Sequence, residues 1–490
     1  MTHKEYNLTI QALFIFIGKL IQILFQFLVP VVLIRIFSQS DYGTYQKVLF
    51  VTAILIPLFR FHLTDSLFYF FPILEKSKER NELISQTYFQ LLTICFFVSL
   101  LILIVLPFLN SFFEDVVFFK YKYQILGIVF FSVSSSILEN IFILEKKSKF
   151  LVKFASIDKF VRTCLLIYIG FYFKTIESAL LAIIIHGLLR FIFLTSYLLK
   201  FYKLNLLHVK IEKLKKQWSY VLPMGIGIFV GVIGKNTDKL ILVWLLTDSD
   251  FALYSIGNLS VPFIATVYVS IGNVVMPELA KYSIKKDFKR TLQLWKSMVI
   301  KNSIVTLPII FFFIIEAKEL FIFLFTESYA DSANVFRVIV LTLLIQMLGY
   351  GYVLRAFGKT KKILVAKVYR TILSLIVGYI LIINFGIIGA AVTSVFSFFI
   401  NAIIQLISAK KMLQVTWLDY LPWKHFAKLI LISIFPGIII ICINTLGYTP
   451  IKTLIINSFI YFSLITYLLY RFSYFKVFGT DKIFKQLKLK

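Results

Sequence analysis

About fourteen apolar runs, each long enough to cross roughly 30 Å of hydrocarbon as a helix, constrain this chain more than any other feature. They fall near residues 10–36, 47–71, 85–109, 124–145, 151–173, 177–200, 218–246, 251–276, 297–325, 333–354, 363–383, 386–409, 425–446 and 453–472. With 59% hydrophobic and 16% charged residues, the 490-residue chain is too apolar for a soluble protein, whose apolar share is nearer half and whose charged share is nearer a quarter. The first run is too long for a signal peptide and has no cleavage pattern after it, so it counts as a span. The expected fold is an all-α integral membrane protein of about 14 transmembrane helices.

The polar connections alternate in charge. The second carries Lys76, Lys78 and Arg80, the fourth Lys146, Lys147, Lys149 and Lys153, and the sixth Lys200 to Lys216 with four more lysines. The eighth, tenth and twelfth continue the series, whereas the odd connections hold acids such as Asp41, Glu114, Asp248 and Glu327. The positive-inside rule then puts the even connections and both termini on the cytoplasmic side of the inner membrane. The net charge of +28 is thereby explained by orientation, and no nucleic-acid partner is expected. Cys95, Cys164 and Cys442 all lie in apolar runs, which indicates neither a disulfide framework nor a metal site.

The chain also repeats itself with a spacing of roughly 210 residues. Ser40 to Tyr45 matches Ser249 to Tyr254, Phe71 to Lys76 matches Met276 to Lys281, Lys149 to Val152 matches Lys362 to Val365, and Ile176 to Ala179 matches Ile388 to Ala391. Six spans per half give two parallel six-helix bundles, and a cavity between such bundles can open to either side by rocking. The expected organisation is an N-terminal bundle at 1–204, a cytoplasmic linker at 205–217, a C-terminal bundle at 218–410, an interfacial linker at 411–424, two additional helices at 425–472 and a basic cytoplasmic tail at 473–490.

Several of these residues carry a family resemblance. Leu33 to Phe37 followed by Ser40-Asp41-Tyr42-Gly43, the Asp238-Lys239 pair, Asp250 to Tyr254, Met276 to Leu279 and Gly386 to Ala391 resemble the polysaccharide transporter family of the MOP superfamily, which contains Wzx-type O-antigen and repeat-unit flippases. MATE exporters and lipid II flippases are its relatives. The resemblance covers nearly the whole chain and implies a V-shaped transporter. It implies a substrate too: an undecaprenyl-pyrophosphate-linked oligosaccharide moved from the inner to the outer leaflet, with polysaccharide polymerase machinery as a partner and membrane lipid around a monomer. Ala252 and Leu253 depart from the pattern of Gly43 and Thr44 in the first half.

Such a headgroup needs a wet cationic groove, because neither sugar nor pyrophosphate crosses hydrocarbon unaided. Lys235 and Lys239 in the seventh run share a helix face with Asp238 and are expected to line it, or else Lys235 pairs locally with Asp238 while Lys239 snorkels to the interface. Arg60 lies beside His62 and Asp65 in the second run, Lys19 sits about nine residues into the first, and Arg190 follows His186 by one turn in the sixth. Asp158 and Arg162 are read as a structural pair, Ser132, Ser136, Glu139 and Asn140 as a polar stripe, and Lys301, Lys367 and Arg370 as topology charges. Asp238, Asp65 and Glu139 are candidate ion or proton sites, with His62 titratable near neutral pH.

Gly231 to Asn236 fails as a phosphate loop, since Phe229 replaces the first glycine and Asn236 the hydroxyl residue. No zinc-protease motif or serine elbow is present, so the expectation is a non-enzyme without cofactor or metal. Two other readings stay open: an ion-coupled exporter of small cations, against which the excess of Lys and Arg argues, and a membrane polymerase or ligase, for which no outer connection is long enough.

Overall fold

The computed structural model describes residues 22–25, 27–113, 117–204, 211–259 and 261–474. These residues contain helices and no strand, the outcome expected where lipid offers the backbone no hydrogen-bond partner. Among them, nine helices are long and apolar enough to cross a membrane. The difference from the expected fourteen has identifiable causes. The runs at 363–383 and 386–409 join into one helical segment, Thr360–Leu413, the run at 148–173 carries Lys149, Lys153, Asp158, Lys159 and Arg162, the eighth and tenth runs are divided between helices, and the described part of the first holds only the short helix Gln22–Leu33.

The chain divides into two compact units, residues 1–235 with 247–252 and residues 236–246 with 253–490. The boundary lies inside the seventh run, between Lys235 and Asn236, and not in the connection before it.

The first unit begins with α1 (Gln22–Leu33), α2 (Gln39–Arg60) and α3 (Leu63–Ile73). Ser38 caps α2 by accepting from the Asp41 amide at 3.1 Å, while its hydroxyl donates to the Asp41 carboxylate at 2.7 Å. Phe61 and His62 then both adopt left-handed backbone conformations, with φ of 48° and 57°, which breaks the second run in two. For residues with a side chain this costs about 1–2 kcal/mol each, and the surroundings hold it. His62 Nδ1 lies 2.5 Å from Asp65 Oδ2, the Phe61 ring packs 5.7 Å from Trp218, and Asn140 Nδ2 donates to the Thr64 carbonyl at 2.9 Å.

The unit continues through α4 (Ser77–Phe113), α5 (Val117–Lys120), α6 (Lys122–Ser134), α7 (Leu138–Leu144), α8 (Ser148–Phe173), α9 (Ile176–Tyr202) and α10 (Ile211–Lys235). Gln217 of α10 is buried and ties three helices together. Its Oε1 accepts from Gln86 at 3.0 Å and Gln90 at 2.8 Å, and its Nε2 donates to Ser66 at 2.8 Å and Thr87 at 3.0 Å. Amides make this buried glue without introducing charge into hydrocarbon.

The second unit comprises α11 (Thr237–Leu245), the latter part of α12 (Asp248–Gly257), α13 (Pro262–Ile284), α14 (Phe288–Phe325), the short helices α15 (Ser332–Val340), α16 (Thr342–Gln346) and α17 (Tyr352–Ala356), and α18 (Thr360–Leu413). It ends with α19 (Trp417–Tyr420), α20 (Trp423–Asn444) and α21 (Pro450–Arg471). Gly386 splits α18 with φ 55° and ψ −133°, a conformation open to glycine alone, and a Cβ on Gly389 would lie 2.0 Å from the Leu381 carbonyl oxygen. The Gly386-x-x-Gly389 pattern is therefore a tight turn between two helices. Trp295 of α14 is fully buried and stacks on Tyr420 at 4.4 Å, which fixes the connection between α18 and α20.

The internal repeat reappears in the backbone. Left-handed residues at Lys146, Lys174 and Lys203 recur at Gly358, Gly386 and Gln414, a spacing of about 212 residues. The reciprocal cap of Ser38 and Asp41 also returns as Thr247 and Asp250, where Thr247 Oγ1 donates to Asp250 at 2.7 Å and accepts from its amide at 3.2 Å. Within the first unit these two capped turns meet. Lys47 Nζ is 2.5 Å from Asp248 Oδ1, Thr44 Oγ1 donates to Asp248 Oδ2 at 2.5 Å, and a Cβ on Gly43 would stand 1.8 Å from the Asp248 carbonyl oxygen. Gly43→Ala is expected to lower stability by about 1–3 kcal/mol through backbone displacement, whereas Gly227→Ala, with open space at its Cβ, is expected to leave the unfolding midpoint of the detergent-purified protein unchanged.

Candidate functional site

Inside the first unit, α2, α6, α7, α8 and α9 enclose a cavity of about 490 Å³. Local sequence makes room for it. Ser135 and Ser136 return their hydroxyls to the carbonyls of Phe131 and Val133, each at 2.6 Å, which opens the backbone between α6 and α7. Gly187 lets α9 approach α6, since a Cβ there would lie 2.8 Å from Phe131 Cβ. The polar lining consists of Arg60, Arg162, Arg190, Glu139 and His186 with Thr52, Ser132, Ser135 and Ser136.

Three guanidiniums thus face one lining carboxylate. Arg190 spreads its fork, with Nη1 3.1 Å from Asp158 Oδ2 and Nη2 3.3 Å from Glu139 Oε1. Behind it, the buried Asp158 also lies 3.0 Å from His186 Nε2 through its other oxygen. Arg60 reaches Asp65 at 3.7 Å. The Nε atoms of Arg60 and Arg190 are buried without an acceptor. Among the described residues, Arg162 has no carboxylate within ion-pair distance. Guanidiniums lining a polar chamber are suited to an oxyanion, because the planar fork matches phosphate and carboxylate oxygens.

Of the residues expected from sequence to line a groove, Arg60, Arg190 and Glu139 meet in this chamber. His62 and Asp65 lie at the α2–α3 break, bonded to each other. Lys19 lies outside the described residues. Lys235, Asp238 and Lys239 do not lie on one unbroken helix: Lys235 is the exposed last residue of α10, Asn236 is non-helical at φ −117° and ψ 18°, and α11 starts at Thr237. Asp238 is buried in the second unit, where the Tyr254 hydroxyl and Ser394 Oγ, the latter at 2.8 Å, donate to it. Lys239 is half-buried on α11. None of the three candidate coupling acids stands alone, because Asp65 pairs with His62, Glu139 with Arg190, and Asp238 with two hydroxyls.

Two arginines have roles that sequence spacing did not reveal. Asp158 pairs across to α9 and not with Arg162, four residues along its own helix, so Arg162 is left to the cavity. Arg370, expected to be a topology charge, is half-buried and donates from Nε to Ser397 at 2.5 Å, with its guanidinium 4.9 Å from the Phe398 ring centroid. The only forward signal for Arg370 was its position a full two turns inside α18.

Two helical units with broken apolar spans and a polar chamber define a class, the multi-pass all-α membrane protein. The structure is similar over 95% of its length to the lipid II flippase MurJ in an inward closed conformation, covering 99% of that chain with a TM-score of 0.70 and 16% identity. It is also similar, over 80% of its length and 94% of the other chain, to an inward-facing multidrug resistance MATE family transporter of the MOP superfamily, with a TM-score of 0.63 and 13% identity. Residues 32–334 match the family described as polysaccharide biosynthesis protein, and the chain belongs to that family. An uncharacterized membrane protein of Methanocaldococcus jannaschii is 23% identical over 302 residues, 60% of this chain; the match spans 57% of that relative's length.

Asp158 serves two partners from a buried position, so removing it leaves the buried His186 and the half-buried Arg190 without the carboxylate they share. Asp158→Ala is expected to cost about 3 kcal/mol of stability, and Glu139→Gln, at a side chain 49% exposed, less than about 1 kcal/mol. Thermal unfolding of the two purified variants checks the difference.

Proposed function

We propose that this protein is a flippase for a lipid-linked oligosaccharide, an undecaprenyl-pyrophosphate-linked repeat unit carried from the inner to the outer leaflet of the cytoplasmic membrane. The observation that carries this reading is the convergence of Arg60, Arg162 and Arg190 on one chamber whose lining holds a single carboxylate, Glu139. A pyrophosphate can accept from the guanidiniums that line it. The serines of the same wall can hydrogen-bond sugar hydroxyls, and the polyprenyl chain stays in lipid. Membership in a polysaccharide biosynthesis family and a fold similar to a lipid II flippase support the same reading.

The proposal has a defined chemistry of movement and no bond-making step, so the protein is read as a non-enzyme. Its termini face the cytoplasm in this reading, because the lysine-rich even connections belong on that side. A small organic cation fits the chamber poorly, as three arginines repel it. Polysaccharide polymerase machinery is the expected partner on the outer face, and the working unit is a monomer.

In proteoliposomes loaded with a fluorescent lipid-pyrophosphate oligosaccharide, Arg60→Ala, Arg162→Ala and Arg190→Ala are each expected to weaken substrate affinity about ten- to hundredfold, the loss of a charge-assisted hydrogen-bonding group. Arg→Lys at the same positions is expected to recover only part of it, since a point charge lacks the fork. Unchanged transport in all three alanine variants at equal protein level defeats the assignment.

A further inference from the structure

The most deeply buried acid of the second unit lies away from the polar residues discussed so far. Glu316 of α14 is 0% exposed and faces the two helices that fall outside the internal repeat. Its Oε1 accepts from Asn444 Nδ2 of α20 at 3.0 Å and from Asn457 Nδ2 of α21 at 2.9 Å. Asn457 Nδ2 donates with its second hydrogen to Asn444 Oδ1 at 2.5 Å. Two acceptors remain buried without a donor, Glu316 Oε2 and Asn457 Oδ1. Asn457 is itself 0% exposed.

Among the described residues, no cation lies within ion-pair distance of the carboxylate. Glu319, three residues along the same helix, carries the same sign. Lys318 is exposed, and Arg337 of α15 gives its donors to the Ile314 carbonyl at 2.9 Å and to Asn334 Oδ1 at 2.8 Å. From α20 and α21 come the two amides, together with the Tyr461 hydroxyl, which donates to the Pro308 carbonyl at 2.9 Å. An ionised carboxylate buried among amides alone is costly in so apolar a place.

We propose that Glu316, Asn444 and Asn457 form a buried proton-binding site that fastens α20 and α21 to α14. A proton on Glu316 Oε2 gives that oxygen a donor and directs it to Asn457 Oδ1. The carboxylic acid and the Asn457 amide then close a ring of two hydrogen bonds, one in each direction, and a single proton satisfies both stranded acceptors. Two orphan oxygens fall short of the six or so ligands that a hard metal cation collects, so the proton is the better fit. The inference is independent of the transport reading, because it concerns helices that do not line the arginine chamber.

The folded chain holds a proton here that the unfolded chain releases, so stability falls as pH rises through the range in which free carboxyls are already ionised. The test follows thermal unfolding of the full chain in detergent from mildly acidic to alkaline pH, in sodium or choline chloride at equal ionic strength. The wild type is expected to lose midpoint temperature with rising pH. Glu316→Gln, whose amide donates permanently to Asn457 Oδ1, is expected to lack that component. An equal pH response in both proteins overturns the proposal, and so does a wild-type midpoint raised by sodium over choline, which would place a metal cation at the carboxylate. Should Glu316→Gln fail to fold, infrared spectroscopy of the wild type supplies the reading. A protonated carboxyl band at neutral pH that shifts in Asn457→Leu supports the site, and its absence overturns it.

Discussion

Hydrocarbon leaves no polar group to be satisfied by water, and the architecture of this protein follows from how each exception to regular helix is repaired. The left-handed pair Phe61 and His62 interrupts the second run, and an asparagine from α7 reaches across to the Thr64 carbonyl. The opening between α6 and α7 is closed by serines bonding to their own helix. At Asn236 the helix stops and α11 starts again with Asp238 turned into hydroxyls from α12 and α18. Each break is local in sequence but is stabilised by a side chain or carbonyl that must be in the right place.

The two units use polar groups differently. In the first, arginines outnumber the lining carboxylates, with Arg60, Arg162 and Arg190 against Glu139 in one chamber. In the second, amides and hydroxyls bond to one another, as in Asn401 Nδ2 donating to Tyr350 at 3.2 Å and Gln405 Nε2 donating to Asn401 at 2.9 Å. The first pattern suits a ligand and the second suits helix adhesion. The repeat therefore preserved backbone turns, seen at Lys174 and Gly386, while the side chains between them diverged.

That division explains what was legible in the sequence. Apolar run length and lysine placement identify an all-helical membrane protein without any knowledge of packing, because both report on the solvent and not on neighbours. Arg60, Arg190 and Glu139 were also accessible, since a charge in the middle of an apolar run has few places to go. The pairing of Asp158 was not, because four-residue spacing favours Arg162 on the same helix and the true partners come from α9. Lys235 and Lys239 seemed to share a face only on the assumption of an unbroken helix, and one asparagine removes that assumption. Glu316 and Arg370 became visible only with their neighbours, Asn457 and Ser397, which lie 141 and 27 residues away in sequence.

The placement of the turn at Thr247 to Ala252 has a consequence for any attempt to take the protein apart. The chain enters the second unit at Asn236, returns to the first at Thr247 and leaves it again at Leu253. Neither unit is a contiguous stretch of polypeptide. A gene cut at any single codon deprives one unit of a piece of itself: a cut before Asn236 leaves the first unit without Asp248, which meets Lys47, and a cut after Ala252 leaves the second without residues 236–246, so complementation by two fragments would require one fragment to supply a segment to the other.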